Sequence, residues 1–236
     1  MSEPNPIFAR QASLGLTIPR AVAVVGCGGV GSWTALFLAL AGTPQLYLFD
    51  HDTVSDSNLN RLLVTADTVG KGKAESVADM IRRYRPECDI LPLGLFSPTV
   101  ANAIKLADKI DWLVCTTDTL ASRRECHKWC LHPPAPAPKF MENTSATSIV
   151  PPAMPIPIRY VEAAAEGEFG SATGSPAEWA SDLEAAPGYE SVPVHVGPCV
   201  FAAAMAVNHV IHNTPMPYVI RTGFDGSRMT TLIAND

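Results

Sequence analysis

The chain has 236 residues, 47% of them hydrophobic, and a formal net charge of −6 at pH 7. This length and composition are sufficient for one domain with a full hydrophobic core. The negative charge argues against nucleic acid as the main ligand, and no apolar run reaches the roughly 18 residues that a membrane span needs. Six cysteines without the spacing of a disulfide framework, and no signal peptide, predict a cytoplasmic protein with reduced thiols.

A nucleotide-binding turn is predicted near the N-terminus. An apolar strand over residues 21–25 runs into a G-x-G-x-x-G pattern, and glycines at this spacing allow a tight turn and close approach of main-chain N–H groups to phosphate. A helix is predicted from about Ser32, followed by a buried strand over residues 45–49. This strand–helix–strand unit is typical of a parallel sheet. The glycines of the pattern are Gly26, Gly28 and Gly31.

An acid and a group of basic side chains follow the second strand. Asp50 lies about 20 residues beyond the glycines, where a carboxylate accepts hydrogen bonds from ribose hydroxyls. Asn58, Arg61, Lys71 and Lys73 then come within a short stretch, which a nicotinamide dehydrogenase does not need. Arginine bridges phosphoryl oxygens and lysine supplies a point charge, so the pattern favours a triphosphate ligand. Lys71 alone is interpreted as a solvated surface residue.

The alternation of helices and strands continues to about residue 131. Asp118 follows a predicted strand over residues 111–115, at the sheet edge where ligands bind in open parallel sheets. Two roles stay open for it, a magnesium ligand or the cap of the next helix. The predicted elements are helices over 73–84, 99–109 and 120–131 and strands over 88–93 and 111–115.

The C-terminal part is less regular. Six residues rich in proline, 133–138, interrupt the alternation. Residues 162–191 carry seven acids and no Lys or Arg, which predicts a mobile, solvated loop. The other predictions are strands from 139 and within 147–160, an apolar helix over 199–212, and a hairpin at Asp225-Gly226.

Taken together, the motifs resemble those of the ThiF/MoeB-like adenylyltransferases, relatives of the adenylation domain of ubiquitin-activating enzymes. The resemblance covers about residues 8–150, in family order. It is carried by Arg10-Gln11, the glycine turn from Gly26 to Ser32, Asp50-x-Asp52-x-Val54, Ser57-Asn58-Leu59-Asn60-Arg61, residues 69–75, Arg85-Pro86 and residues 115–118.

The resemblance implies an α/β, Rossmann-like, doubly wound and mostly parallel sheet with a C-terminal antiparallel extension. It implies a single domain over residues 1–236, with a nucleotide-binding half over 20–150. Residues 151–236 would then supply a crossover loop, a helix and a hairpin for partner binding and dimerisation.

The resemblance also assigns roles to individual residues. Asp50 is expected to bind the ribose of ATP and Asp118 to hold Mg²⁺, while Arg10 is expected to reach the triphosphate of the partner protomer in a homodimer. The expected nucleotide-binding residues are Gly26, Gly28, Gly29, Gly31, Asp50, Asp52, Asn58, Arg61 and Lys73, and the expected catalytic residues are Arg10, Arg61, Lys73 and Asp118.

The function implied is ATP-dependent adenylation of the C-terminal carboxylate of a small ubiquitin-like or sulfur-carrier protein, with release of pyrophosphate. Two alternatives stay open: an enzyme like tRNA threonylcarbamoyladenosine dehydratase, which activates an RNA-borne carboxylate, and a non-catalytic binding module with the same fold. A tRNA dehydratase-like enzyme is expected to have a basic surface. A non-catalytic binding module is expected to have lost the phosphate-binding residues.

The cysteines give two further expectations. Many relatives carry Cys-x-x-Cys pairs for a structural zinc ion, but this sequence has none, so no structural zinc is expected and Cys126 and Cys130 are interpreted as core residues. Cys199 begins the apolar helix, whose N-terminus would lower its pKa, although a small buried residue is the favoured interpretation. Any acyl transfer is therefore expected to occur to another protein.

Overall fold

The computed structural model describes residues 6–134, 158–174, 194–213, 218–225 and 228–235. Within these residues, one eight-stranded sheet has the order β3-β2-β1-β4-β5-β6-β7-β8. The strands are β1 Val22–Val25, β2 Gln45–Phe49, β3 Asp89–Leu93, β4 Trp112–Cys115, β5 Arg159–Glu166, β6 Phe169–Thr173, β7 Tyr218–Asp225 and β8 Arg228–Asn235. The helices are α1 Gly29–Ala41, α2 Lys73–Tyr84, α3 Pro98–Ala103, α4 Leu120–Leu131 and α5 Val196–His212.

The first five strands are parallel, as predicted. β1 lies at the centre, with Val24 opposite Leu48 of β2 on one side and Val114 of β4 on the other. All four residues of β1 are buried, because helices cover both faces of the sheet. The apolar run that predicted a buried parallel strand is thus explained.

The two sides of β1 enter two separate hydrophobic cores. Val22 and Val24 pack with α1, α2 and α5, whereas Ala23 and Val25 pack with α3 and α4. Successive side chains of a strand point to opposite faces, so this division confirms the doubly wound arrangement.

The last three strands form the expected antiparallel extension. β6 pairs with β5 and β7, and β7 pairs with β8 along a hairpin in which Asp225 is opposite Arg228, as predicted. α5 crosses this part of the sheet closely, since a Cβ atom at Gly170 would lie 2.3 Å from the carbonyl oxygen of Pro198. None of the helices in the described ranges is both long and apolar enough to cross a membrane.

The prediction of a solvated loop over residues 162–191 is wrong for residues 162–173. Residues 162–173 belong mainly to β5 and β6, and Glu162 is buried in β5 rather than solvated in a loop. The alanine-rich sequence around Glu162 has low intrinsic strand propensity, but pairing with β4 and an ion pair with Arg123 of α4 outweigh it. Residues 175–191 of the predicted acidic loop, and the strand predicted from 139, lie outside the described residues.

Smaller corrections concern helix ends. α1 begins at Gly29 rather than Ser32, and α5 begins at Val196 rather than at residue 199. The helix predicted over 99–109 is α3 followed by a separate 3-10 turn at Leu106–Asp108. The break occurs where Lys105 adopts a left-handed backbone conformation, with φ of 53°.

Candidate active site

A cavity of about 800 Å³ opens at the carboxyl ends of β1, β2 and β4. β1 is the strand where the order of connections reverses, the usual ligand site of an open α/β sheet. The volume lies within the range of small-molecule sites. The cavity wall includes the predicted residues Gly26, Gly28, Gly29, Asp50, Asp52, Arg61, Lys73 and Asp118.

The glycine turn exposes the N-terminus of α1 to this cavity. Gly26 has a φ of 93°, a conformation that side chains disfavour, and a Cβ atom at Gly31 would lie 1.8 Å from the carbonyl oxygen of Gly26. Gly28 caps α1 without a side-chain hydrogen bond, and a Cβ atom there would meet nothing within 4 Å. The first N–H groups of α1 are therefore open to an anion such as phosphate. Gly31 packs behind the turn and is not part of the cavity wall.

Asp50 joins the glycine turn to the segment that follows β2. Its carboxylate accepts hydrogen bonds from the backbone N–H of Cys27 at 2.7 Å and from that of Asp52 at 2.8 Å. Each carboxylate oxygen keeps a second lone pair, so the group still has acceptor capacity toward the cavity. Its contact with ribose stays a prediction.

Lys73, the first residue of α2, is held in place by Asp52. Its Nζ atom lies 2.8 Å from Oδ2 of Asp52, and its backbone N–H donates to the Asp52 carbonyl at 2.9 Å. The Lys73 side chain is only 15% exposed. Hydrogen bonding from Lys73 lowers the pKa of Asp52, so the carboxylate stays ionised. The structure thus presents a fixed ammonium group at the cavity wall.

Arg61 lies over the N-terminus of α1. Its Nη1 atom donates to the carbonyl of Ser57 at 2.7 Å and to Oδ1 of Asn60 at 2.9 Å. A Cβ atom at Gly29 would lie 2.8 Å from Sγ of Cys199 and 3.2 Å from the Arg61 side chain, so glycine leaves room for both side chains. The indole N–H of Trp33 donates to the Arg61 carbonyl at 2.9 Å and ties the segment to α1.

Asn58 is the predicted phosphate residue that the structure does not bring into the cavity wall. Its Oδ1 atom accepts from the backbone N–H of Ser55 at 3.1 Å, as half of a capping box around a short 3-10 turn. This local role shapes the segment that ends in Arg61. A contact between Asn58 and phosphate stays a prediction.

Asp118 is exposed in the cavity wall between β4 and α4. Thr119 caps α4 instead, with its hydroxyl accepting from the backbone N–H of Ser122 at 3.3 Å. Within the part of the chain that the structure describes, the Asp118 carboxylate has no hydrogen-bond partner. One carboxylate facing a phosphate site is a donor set that fits Mg²⁺, which takes its other ligands from phosphate and water.

A second group of oxygen and nitrogen donors lies on the opposite wall. Ligand atoms of Asp50, His51 and Asp52 come within 4.8 Å of one another. Asp52 is already paired with Lys73, and Asp50 with two backbone N–H groups. The carboxylates of this wall therefore hold Lys73 and the glycine turn in place.

Comparison with protein-family models assigns the chain to a family. Residues 19–173 match the model of the ThiF family. The chain belongs to the ThiF family.

Individual ThiF-family relatives match shorter parts of the chain. Molybdopterin-synthase adenylyltransferase of Escherichia coli is 37% identical over 46% of this chain and 44% of its own length. Ubiquitin-like modifier-activating enzyme 5 of Aedes aegypti is 41% identical over 39% of this chain and 23% of its own. tRNA threonylcarbamoyladenosine dehydratase of Bacillus subtilis is 33% identical over 47% of this chain and 44% of its own length. The chain thus matches less than half the length of these relatives.

The crystal structure of E. coli MccB with ATP has a TM-score of 0.66 at 16% identity, covering 92% of this chain and 64% of that one. At this identity the likeness shows the fold alone. It confirms the predicted fold class across the antiparallel extension as well as the parallel half.

Arg10 lies far from the site of its own protomer. Gln11 next to it donates from Nε2 to the carbonyl of Ala41 at 2.6 Å, at the C-terminal end of α1. The site lies at the other end of this 13-residue helix, about 20 Å away at 1.5 Å per residue. Arg10 is exposed and is too far away to reach the site of its own protomer, and its contact with the triphosphate of a partner protomer stays a prediction.

The structure adds Arg123 and Glu162, which sequence reasoning missed. Arg123 of α4 lies in the cavity wall, and its Nη1 atom is 2.9 Å from Oε1 of Glu162 on β5. Its Nε atom donates to the carbonyl of Thr117 at 2.8 Å. Both side chains are at least nine-tenths buried. The pair joins segments 39 residues apart, so local pattern gave no signal beyond a lone acid in an apolar run.

Cys199 is buried beside Arg61 in the cavity wall, as the favoured interpretation required. The expected lowering of its pKa by the helix N-terminus is wrong, because burial raises the pKa to about 11 and the nearby Arg61 offsets this only in part. Cys126 and Cys130 are likewise buried in the core between α4 and the sheet.

Cys199 is expected to resist alkylation in the folded protein. With a pKa of about 11, only about 0.1% of the thiol is ionised at pH 8, and the thiolate is the reacting species. Mass spectrometry after iodoacetamide treatment should find Cys199 unmodified in the native protein and modified in urea. Rapid native alkylation would instead identify an accessible thiolate beside the phosphate site.

Proposed function

We propose that this protein is an ATP-dependent adenylyltransferase that activates the C-terminal carboxylate of a small ubiquitin-like or sulfur-carrier protein. One observation carries the proposal. Arg61, Lys73 and Asp118 surround a single cavity into which the uncapped N-terminus of α1 opens. This is an arrangement for holding several phosphates and one divalent cation.

The reaction requires neutralisation of charge rather than a base. The substrate carboxylate oxygen attacks the α-phosphorus, a new P–O bond forms, and the bond to the β-phosphate oxygen breaks with its electrons leaving on pyrophosphate. A carboxylate is already ionised at neutral pH, so no proton has to be removed. The task of the protein is to align two anions and to stabilise the departing one.

The residues divide this task by position. Lys73 and Arg61 supply positive charge along the phosphates, and the N–H groups at the start of α1 bind phosphoryl oxygens. Leu95 and Phe96 form an apolar part of the wall suited to the flat purine ring. Mg²⁺ held by Asp118 would supply further neutralisation of phosphate charge when bound.

Small residues in one part of the cavity wall favour a narrow peptide end as the substrate. Ala164 and Ala165 of β5 form this part of the wall. One relative is named as an adenylyltransferase of molybdopterin synthase and another as an activating enzyme of a ubiquitin-like modifier, which supports the same reaction and substrate class here. The tRNA dehydratase relative supports the alternative, but a net charge of −6 disfavours an RNA substrate.

ATP–pyrophosphate exchange tests the proposal. We expect exchange to require a carrier protein ending in Gly-Gly, chosen from neighbouring reading frames, and the intact mass of that carrier to increase by one AMP. A carrier lacking the last two residues is the matched control. Exchange that depends on modified tRNA would support the dehydratase alternative, and failure to bind ATP at all would support a non-catalytic module.

A composite site is proposed for a homodimer. We expect Arg10→Ala and Arg61→Ala to be nearly inactive alone but to regain up to about a quarter of wild-type exchange when mixed, because random association leaves one intact site in half of the dimers. Size-exclusion chromatography checks the dimer. Mixed variants that stay inactive despite subunit exchange would contradict a contribution of Arg10 in trans.

A further inference from the structure

The segment that carries Asp118 is anchored on both sides of that residue. The Thr116 hydroxyl donates to the carbonyl of Gly26 at 2.7 Å, and its backbone N–H donates to Val25 at 2.8 Å. Thr119 is fixed by its capping bond to α4. The position of the Asp118 carboxylate therefore depends on the residue between these anchors, Thr117.

The Thr117 carbonyl is held by the buried guanidinium of Arg123. Nε of Arg123 donates to the Thr117 carbonyl at 2.8 Å, while Nη1 of the same guanidinium is paired with Glu162 at 2.9 Å. The other oxygen of Glu162 accepts from the Tyr160 hydroxyl at 3.3 Å. The planar fork of arginine fixes the angle between these bonds, which lysine cannot do.

A buried ion pair contributes little net stability to a fold. Taking two charges out of water costs several kcal/mol per ion, and apolar residues of similar size often stabilise a protein equally well. The bond that leads from this pair toward the candidate metal ligand is the one to Thr117. A role at the site therefore explains the pair better than stability alone.

We propose that Arg123 and Glu162 are positioning residues for the metal ligand Asp118. Glu162 fixes the guanidinium of Arg123, which holds the Thr117 carbonyl and so sets the direction of the next side chain. Neither residue touches the nucleotide in this proposal. The inference rests on the proposed function, since it takes Asp118 as the Mg²⁺ ligand.

The test separates metal binding from nucleotide binding. Calorimetry gives the dissociation constant of a non-hydrolysable ATP analogue with Mg²⁺ and with EDTA, and the ratio of the two measures how strongly the metal is coupled to the site. The double variant Arg123→Met/Glu162→Leu removes both members of the ion pair together, so neither of these two charges stays buried without the other. Arg124→Lys, on the exposed side of the same helix, is the matched control.

We expect the double variant to keep wild-type affinity in EDTA within twofold and to lose at least about tenfold in the coupling ratio, the usual effect of changing a residue that orients a metal ligand. In Arg123→Lys the coupling ratio should fall by a smaller factor, because lysine keeps the charge but not the planar fork. Wild-type coupling in the double variant would overturn the inference while leaving the proposed function intact. A wild-type protein without coupling would overturn both the Mg²⁺ role of Asp118 and the inference.

Discussion

Lys73→Ala is expected to lower the rate of ATP–pyrophosphate exchange by about 10²–10³-fold, or about 3–4 kcal/mol of transition-state stabilisation. The ammonium group lies at the cavity wall, is largely buried, and is held 2.8 Å from Asp52. A charge that needs no reorganisation stabilises departing pyrophosphate more than a mobile one. The measurement is exchange at saturating ATP.

Lys71→Ala is the matched control for this variant. Lys71 lies two residues earlier, is exposed, and is not part of the cavity wall. Its removal should leave exchange within about twofold, as expected for a surface charge. Near wild-type exchange in Lys73→Ala, or equal losses in both variants, would contradict the assigned role of Lys73.

Asp118→Asn is expected to lower the rate of ATP–pyrophosphate exchange by a similar factor, about 10²-fold or more, for a different physical reason. The substitution keeps the shape of the side chain but removes the negative charge that attracts Mg²⁺. The apparent Mg²⁺ requirement should therefore rise, and the residual activity should respond to added Mg²⁺ more than that of Lys73→Ala does. The measurement is exchange over a series of Mg²⁺ concentrations.

Asp108→Asn controls for a general effect of charge. Asp108 is exposed in a 3-10 turn away from the cavity wall, so its loss should leave both the rate and the Mg²⁺ requirement unchanged. An Asp118→Asn enzyme with wild-type Mg²⁺ dependence would contradict metal binding by this residue. Its role would then be confined to the shape of the segment between β4 and α4.

The parallel half of the fold was predictable because each signal was local. The apolar run of β1, the glycine turn and the acid at the end of β2 are features of adjacent residues, and buried parallel strands read as continuous apolar segments. The same locality explains why most of the predicted site residues lie in the cavity wall. Parallel strands place their carboxyl ends together, so residues that follow different strands meet without further information.

What the sequence did not reveal depends on pairing at long range. Glu162 looked like one acid of a solvated loop because its partner, Arg123, comes 39 residues earlier on another element. Cys199 was expected to feel a helix N-terminus, but its burial beside α1 has the larger effect on its pKa. Asn58 is an exception to this, because its residue type suits phosphate binding as well as capping, and the structure shows that its side chain forms a local cap with Ser55.

Together, these contacts describe a site whose charged groups are held in place by other parts of the protein. Asp52 orients Lys73, Asp50 braces the glycine turn, and backbone hydrogen bonds hold the segments that carry Arg61 and Asp118. A site of this kind stabilises charge that develops during the reaction, because its dipoles and charges are already aligned. This supports catalysis over simple binding as the role of the cavity.

The most direct test is a crystal structure of the protein with Mg²⁺ and a non-hydrolysable ATP analogue. We predict that the phosphates lie at the start of α1, that their oxygens contact Lys73 and Arg61 with little change in the positions of these side chains, and that Asp118 contacts Mg²⁺. A structure in which the phosphates lie away from these side chains, or in which a dinucleotide binds the cavity instead, would contradict this account.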